Sequence, residues 1–248
     1  MTAPEVAQFA TPEELAAEVA ARLVVRIADL QAAGTVPSVV LTGGSIAVTV
    51  HEAIAAADAP GVDWSRIEVW FGDERFVPEN DPDRNVGQAA TALLDRLPFD
   101  RERVHAMPAS DGKYGDDVDA AAAAYADELR DAAGDGDGDF PRFDVLMLGI
   151  GPDGHCASLF PGRAEIDDER PVVAVRDSPK PPPTRITLTR RPLCNASEVW
   201  WLAAGSGKAD AVTRAVHGAD PHDVPAAAPK GVDKTIWFLD DAAASRLG

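Results

Sequence analysis

The stretch Phe143-Asp144-Val145-Leu146-Met147-Leu148-Gly149-Ile150-Gly151-Pro152-Asp153-Gly154-His155-Cys156-Ala157-Ser158-Leu159-Phe160-Pro161-Gly162 decides how the rest of the chain is read. Its first six residues form a short apolar run that predicts a strand buried on both faces, the mark of a parallel sheet. The run breaks into a turn of glycine, proline and aspartate that fixes the backbone and delivers His155 just past the strand's carboxyl end. Gly149-x-Gly151-x-x-Gly154 is a literal match to the glycine pattern of dinucleotide-binding turns, and Asp177 stands where a ribose partner would be sought. That pattern requires a full helix after the glycines, and here only Cys156 to Phe160 separate His155 from the helix-stopping Pro161. No nucleotide cofactor is expected.

The same rhythm of apolar strand, glycine turn and helix extends in both directions. Upstream, Thr11-Pro12-Glu13-Glu14 combines an N-cap, a Pro at the first helical position and a Glu three residues after the cap, and predicts a helix to about Ala33. Ser38 to Leu41 reads as a strand that stops in Thr42-Gly43-Gly44-Ser45, with a helix over 46–57. Ile67 to Phe71 is a second such strand, ending in the loop Gly72-Asp73-Glu74-Arg75, and a helix starts near Asn85. Residues 95–114 are irregular, Val118 to Ala132 is helical, and Gly134 to Asp139 (GDGDGD) is a solvated loop. Downstream, Pro171 to Val175, Ile186 to Leu188, Val199 to Ala203 and Ile236 to Leu239 are strands, and Lys208 to His217 is a helix. The expected fold class is therefore α/β, a Rossmann-like, mostly parallel sheet with helices on both faces, in a single domain over 1–248. Such sheets bind ligands outside the carboxyl ends of their strands. Four loops, at 42–45, 72–75, 149–155 and 205–208, are expected to converge there.

Composition narrows the class of ligand. Against 41 Asp+Glu the 248 residues carry 23 Lys+Arg, 18 of them Arg and 5 Lys, for a net charge of −18. An acidic body repels phosphate backbones and anionic headgroups, so neither nucleic acid nor a membrane surface is an expected partner. Cys156 and Cys194 show no metal spacing and cannot build a disulfide framework, and no basic leader or long apolar run is present, so a soluble, cytoplasmic protein is expected.

Several side chains sit where chemistry needs them. The Thr42-Gly43-Gly44-Ser45 turn exposes backbone N–H groups at a helix start and suits an anion. Gly205-Ser206-Gly207-Lys208 repeats that arrangement, with a lysine where the helix dipole disfavours a cation unless an anion is near. His155, two residues after Asp153, can take a proton from water near neutral pH; a structural histidine satisfied by a carbonyl is the plainer alternative. Cys156 beside it reads as a small buried residue. His51, His105, His217 and His222 lack metal spacing, and Asp135, Asp137 and Asp139 fail the calcium-loop pattern at Phe140 and Leu146, so no metal site is expected. Lys180-Pro181-Pro182-Pro183-Thr184-Arg185 is a stiff connector that can hold Arg185 over the sheet end.

Taken together, the Gly-Gly-Ser turn, Trp70-Phe71-Gly72-Asp73-Glu74-Arg75, Asn85, the stretch Gly149 to Gly162, Pro-Pro-x-Arg185-Ile-Thr-Leu-Thr and Gly-x-Gly-Lys208 resemble the glucosamine-6-phosphate deaminase/6-phosphogluconolactonase family in order and spacing, most closely its lactonase branch. The resemblance spans nearly the whole chain. It implies a small subdomain beside the sheet, as in the wider superfamily of ribose-5-phosphate isomerases and CoA transferases. It also implies hydrolysis of 6-phosphoglucono-δ-lactone to 6-phosphogluconate in the oxidative pentose phosphate pathway, with no organic cofactor or required metal, by a monomer or small homo-oligomer. The deaminase branch, the alternative, continues its loop with a Glu five residues after the His; here that position is Phe160, which cannot shuttle protons. A non-catalytic sugar-phosphate-binding protein is the third reading.

On this resemblance the expected roles are as follows. His155 is the general base toward water, Asp153 or Asp73 orients it, and Arg75 stabilises negative charge on the substrate or oxyanion. The phosphate lies against Gly43, Gly44 and Ser45, with Arg185 and Lys208 as cationic partners. Whether Arg75 or Arg185 meets the phosphate stays open. A small cationic pocket in an acidic body is the expected result.

Overall fold

A computed structural model describes residues 4–134 and 138–248; Asp135 and Asp137, part of the acidic loop expected at 134–139, lie outside the described residues. In chain order the elements are β1 (Glu5–Phe9), α1 (Pro12–Ala32), β2 (Ser38–Leu41), α2 (Ser45–Ala56), β3 (Glu68–Phe71), β4 (Asp73–Arg75), α3 (Asn85–Ala89), α4 (Val118–Ala133) and β5 (Val145–Gly149). There follow β6 (Val172–Val175), β7 (Arg185–Leu188), α5 (Arg190–Leu193), β8 (Glu198–Ala203), α6 (Ala209–Val216), β9 (Lys234–Asp240) and α7 (Asp241–Ala244). The N-cap signal in the first helix is realised: Thr11 Oγ1 accepts the Glu14 N–H at 3.1 Å, while the Glu14 carboxylate reaches the Ala10 N–H. Its apolar stripe, Leu15, Val19, Leu23 and Ile27, is wholly buried.

Six strands form one parallel sheet in the order β1-β9-β8-β5-β2-β3. Both faces of it are covered. Val39, Leu41, Val145, Met147, Trp200 and Phe238 pack with α1 and α2 on one side, and Val40, Trp70, Leu146, Leu148, Trp201 and Trp237 pack with α4 and α6 on the other. This explains why the strands read as unbroken apolar runs. From β2 the chain steps outward to β3 and then returns across β2 to β5, so the strand order reverses between β2 and β5. The crevice outside the carboxyl ends of those two strands is the topological switch point, where such sheets take ligands.

Three features depart from the sequence reading. β1, unforeseen, adds a parallel edge strand beside β9 at the opposite end of the chain. Its five residues, Glu-Val-Ala-Gln-Phe, alternate half-buried and exposed and carry little local strand signal, and the distant partner supplies the reason to be extended. Asp73 to Arg75, expected as loop, is the strand β4, antiparallel to β7 in a separate three-stranded sheet of order β4-β7-β6. Three consecutive charged residues form a strand there because β7 pairs with their backbone and the fold buries the Glu74 carboxylate completely. This second sheet packs over α4 and matches the small subdomain that the resemblance implied. The last departure is the four-residue α7, capped by Asp240. After β5 no helix follows until Ala164, so the dinucleotide pattern lacks its helix, as expected. Among the described residues no helix is long and apolar enough to cross a membrane.

Candidate active site

The switch-point crevice opens into a cavity of about 280 Å³. Its walls come from all four anticipated loops, through Thr42 to Ile46, Asp73 and Arg75, Gly149 to Gly151 with His155, and Lys208, together with Asn85, Lys180, Pro181 and Arg185. Of the residues expected to form the site, only Asp153 does not face the cavity; it stands behind His155.

His155 and Asp153 form the centre. Asp153 Oδ1 accepts from His155 Nδ1 at 2.6 Å, which fixes the tautomer and leaves Nε2 for the cavity. The pair exists because Gly151 has no side chain: a Cβ there would stand 2.0 Å from His155 Nδ1 and 2.3 Å from Asp153 Oδ1. Burial disfavours the Asp153 anion, but the His155 hydrogen bond and the neighbouring Lys180 ammonium outweigh it and hold the carboxyl well below the usual range. The Phe160 ring, 1% exposed, lies against the imidazole with centroids 4.6 Å apart. Cys156 is a buried thiol, as its reading as a small buried residue anticipated, and burial pushes its ionisation up.

Asp73 does not orient His155. Its Oδ2 accepts the Ser158 hydroxyl at 2.6 Å and its Oδ1 the Asn85 Nδ2–H at 3.2 Å, because β4 belongs to the small sheet and directs Asp73 toward β7. Of the two carboxylates left open by the sequence, Asp153 alone touches the histidine. Asn85 closes the same corner by donating to the Asp73 carbonyl, and its own Oδ1 is buried without a protein partner. Gly43 packs directly against it, since a Cβ there would come within 1.9 Å of Asn85 Oδ1. Behind Asn85, the buried Glu74 carboxylate accepts the N–H groups of Arg75, Asn85 and Val86 and so ties β4 to α3. Burial raises the Glu74 carboxyl against those donors and Arg84.

The cations are not equivalent. Arg185 is 4% exposed, and its guanidinium donates to the carbonyls of Lys180, Pro181 and Pro182 at 3.0–3.1 Å, with Ser158 Oγ at 3.5 Å and Asp73 at 3.9 Å. Nε and Nη2 are taken up by these carbonyls, while Nη1 makes only the long Ser158 contact and the side chain lines the cavity. Burial lowers its proton affinity, with Asp73 opposing. Arg75, by contrast, is held at one end by the Asp83 carbonyl while its Nε is buried with no partner among the described residues. Lys208 makes no ion pair among the described residues; burial and then the Lys180 charge lower its ammonium, with Asp153 opposing. Gly44, at φ +101, caps α2 without a side-chain bond, so the first amides of that helix face the cavity unpaired. The loop before α6 is different: the Gly205 N–H is bound to the Asp240 carboxylate, and of residues 205–208 only Lys208 reaches the cavity. It is no second cradle.

Lys180 was not singled out by the sequence reading as a site residue. Its Nζ lies 3.2 Å from both Asp153 Oδ1 and His155 Nδ1. The proline-rich composition of its segment suggested a connector, and only the folding of that connector over the sheet end brings the lysine in.

A family model described as glucosamine-6-phosphate isomerases/6-phosphogluconolactonase matches residues 10–237. The chain belongs to this family. Within it, the chain is 51% identical over 247 residues to a 6-phosphogluconolactonase of Streptomyces coelicolor, covering 98% of this chain and 95% of the relative. It is 47% identical over 240 residues to the 6-phosphogluconolactonase of Mycobacterium tuberculosis, covering 96% of each. Among solved structures, the 6-phosphogluconolactonase of Thermotoga maritima superposes with a TM-score of 0.81 at 26% identity, over 96% of this chain and 99% of that one. A monomeric glucosamine-6-phosphate deaminase superposes at 0.79 and 21% identity over 98% and 99%, so the two branches of the family share this fold.

Proposed function

We propose that this chain hydrolyses 6-phospho-D-glucono-1,5-lactone to 6-phospho-D-gluconate, in keeping with the 6-phosphogluconolactonase name of the relatives described above. The observation that carries the reading is the Asp153–His155 pair facing a cation-lined cavity, with Phe160 where the deaminase pattern calls for a carboxylate. A lactone carbonyl is already electrophilic and needs no ring opening, so one base is enough.

In this mechanism His155 Nε2 takes a proton from a water as its oxygen bonds to the lactone carbonyl carbon. The imidazolium is supported by Asp153 through Nδ1–H, a contribution of about 10²- to 10⁴-fold for positioned proton transfer. The tetrahedral intermediate then expels the ring oxygen, which takes the proton back from Nε2, and the carboxylic acid product ionises. Arg75, whose side chain lines the cavity, is the cation suited to the oxyanion. The 6-phosphate rests on the amides of Gly43, Gly44 and Ser45 with Lys208 as its cation. Arg185 holds the 180–182 segment and lends positive potential.

The test is proton release, by pH-stat, from freshly generated 6-phosphogluconolactone, with ammonia release from glucosamine-6-phosphate as the comparison. Proton release above the spontaneous rate without ammonia supports the hydrolase. Ammonia release, or no acceleration of lactone opening, overturns it.

A further inference from the structure

We propose that Lys180 is a specificity-determining residue that makes the catalytic pair responsive to the phosphate of the substrate. This rests on the hydrolase reading above. The Lys180 ammonium shares Asp153 Oδ1, the same oxygen that holds His155 Nδ1; both contacts of Nζ are 3.2 Å, against 2.6 Å for the histidine bond. The oxygen that should support an imidazolium is thus divided between two cations at the moment the imidazolium forms. Freed of the lysine, Asp153 supports it alone.

The root of Lys180 is fixed and its tip is not. Its carbonyl accepts from Arg185 Nη2 and Ser178 Oγ, and its N–H meets Ser178 Oγ, so the backbone cannot drift. The buried Arg185 adds bonds to the next two carbonyls. The ammonium, by contrast, ends a flexible four-carbon stem, and the side chain is 36% exposed and lines the cavity. It faces Lys208 across a space lined by few carboxylates, in a body of net charge −18. A phosphate dianion placed between Lys208 and the start of α2 is the strongest acceptor in reach and draws Lys180 off Asp153. A lactone without a phosphate leaves the lysine where it is. The phosphate then contributes to kcat as well as to KM, since binding it completes the base.

The experiment compares 6-phosphogluconolactone with unphosphorylated glucono-1,5-lactone, with and without inorganic phosphite, in the wild type and Lys180→Met. The wild type is expected to open the unphosphorylated lactone slowly and to be accelerated by saturating phosphite. K180M is expected to open it about tenfold faster than the wild type does without phosphite, the worth of one charge-assisted hydrogen bond, and to show no phosphite acceleration. K180M slowing both lactones by the same factor, or raising KM for the phosphorylated lactone alone, overturns the proposal, because the lysine would then be a plain structural or phosphate-binding residue. A wild type that opens neither lactone overturns the hydrolase reading and the proposal together, and is told apart from the other failures by that wild-type control.

Discussion

Replacing Gly151 by Ala tests whether the Asp153–His155 geometry carries the activity. The backbone at Gly151 is outside the left-handed region, so alanine is compatible with it and the perturbation is the methyl group alone. That methyl would lie 2.0 Å from His155 Nδ1 and 2.3 Å from Asp153 Oδ1, where ordinary contact begins at 3.4 Å, so the imidazole must retreat by about 1.4 Å. Histidine and aspartate face the same new atom, and they cannot both withdraw while keeping their 2.6 Å bond. Misplacement of a reacting group by about 1 Å costs roughly 10²-fold. G151A should therefore lower kcat about 10²-fold on 6-phosphogluconolactone. KM should stay within about threefold, because the added methyl meets His155 and Asp153 and not Gly43, Gly44, Ser45 or Lys208. The pair is partly exposed and can yield, so the fold should lose only roughly 1 kcal/mol, a Tm change of about 2–4 °C. Gly154→Ala is the control: at φ +88, with a Cβ 2.9 Å from Val224 Cγ1, it strains the loop and should lower Tm more than kcat. A G151A enzyme with kcat within about threefold of wild type would refute the reasoning.

Three further outcomes follow from the same geometry. His155→Gln or Asp153→Asn should lower kcat about 10²- to 10⁴-fold with KM within a few fold, read from initial rates; near-normal turnover in H155Q would remove the imidazole from the chemistry. Lys208→Met should raise KM for the phosphorylated lactone by about tenfold or more and leave the unphosphorylated lactone unaffected; an equal effect on both would move the phosphate elsewhere. Away from the site, burial opposes a charge on His105, but its hydrogen bonds to Glu128 at 2.6 Å and Glu68 at 2.9 Å outweigh that and raise its proton affinity above the ordinary 6.5. A raised folded-state value stabilises the fold fully below pH 6.5 and is lost as pH rises through that higher value. His105→Gln should therefore lower Tm more at about pH 5.5 than at about pH 9, and a loss that is the same at both would contradict the charged clamp.

The elements legible in the sequence are those whose cause is local. The Thr11 cap and the stripe of α1, the apolar runs of β2, β5, β8 and β9, and the glycine turns behind them depend on neighbours a few residues away, and all stand within a residue or two of where the sequence puts them. β1 and β4 were not legible because their reason lies elsewhere in the chain, in β9 and β7.

The same division runs through the site. By itself the sequence determined that His155 follows a buried strand, that Gly-Gly-Ser opens a helix, that no dinucleotide helix follows β5, and that Phe160 stands where a carboxylate would serve a different reaction. Only the tertiary structure decided which carboxylate serves His155. Asp153 and Asp73 are both strand-end aspartates, and it is the antiparallel pairing of β4 with β7 that turns Asp73 toward Ser158. It decided likewise that Arg185 clamps three carbonyls while Arg75 Nε has no partner among the described residues, and that Lys180 reaches the His155–Asp153 pair from 25 residues downstream of His155. Hydrogen-bond partners are chosen by where separate loops meet at the switch point, and that meeting is a property of the sheet order, which no local stretch of sequence encodes.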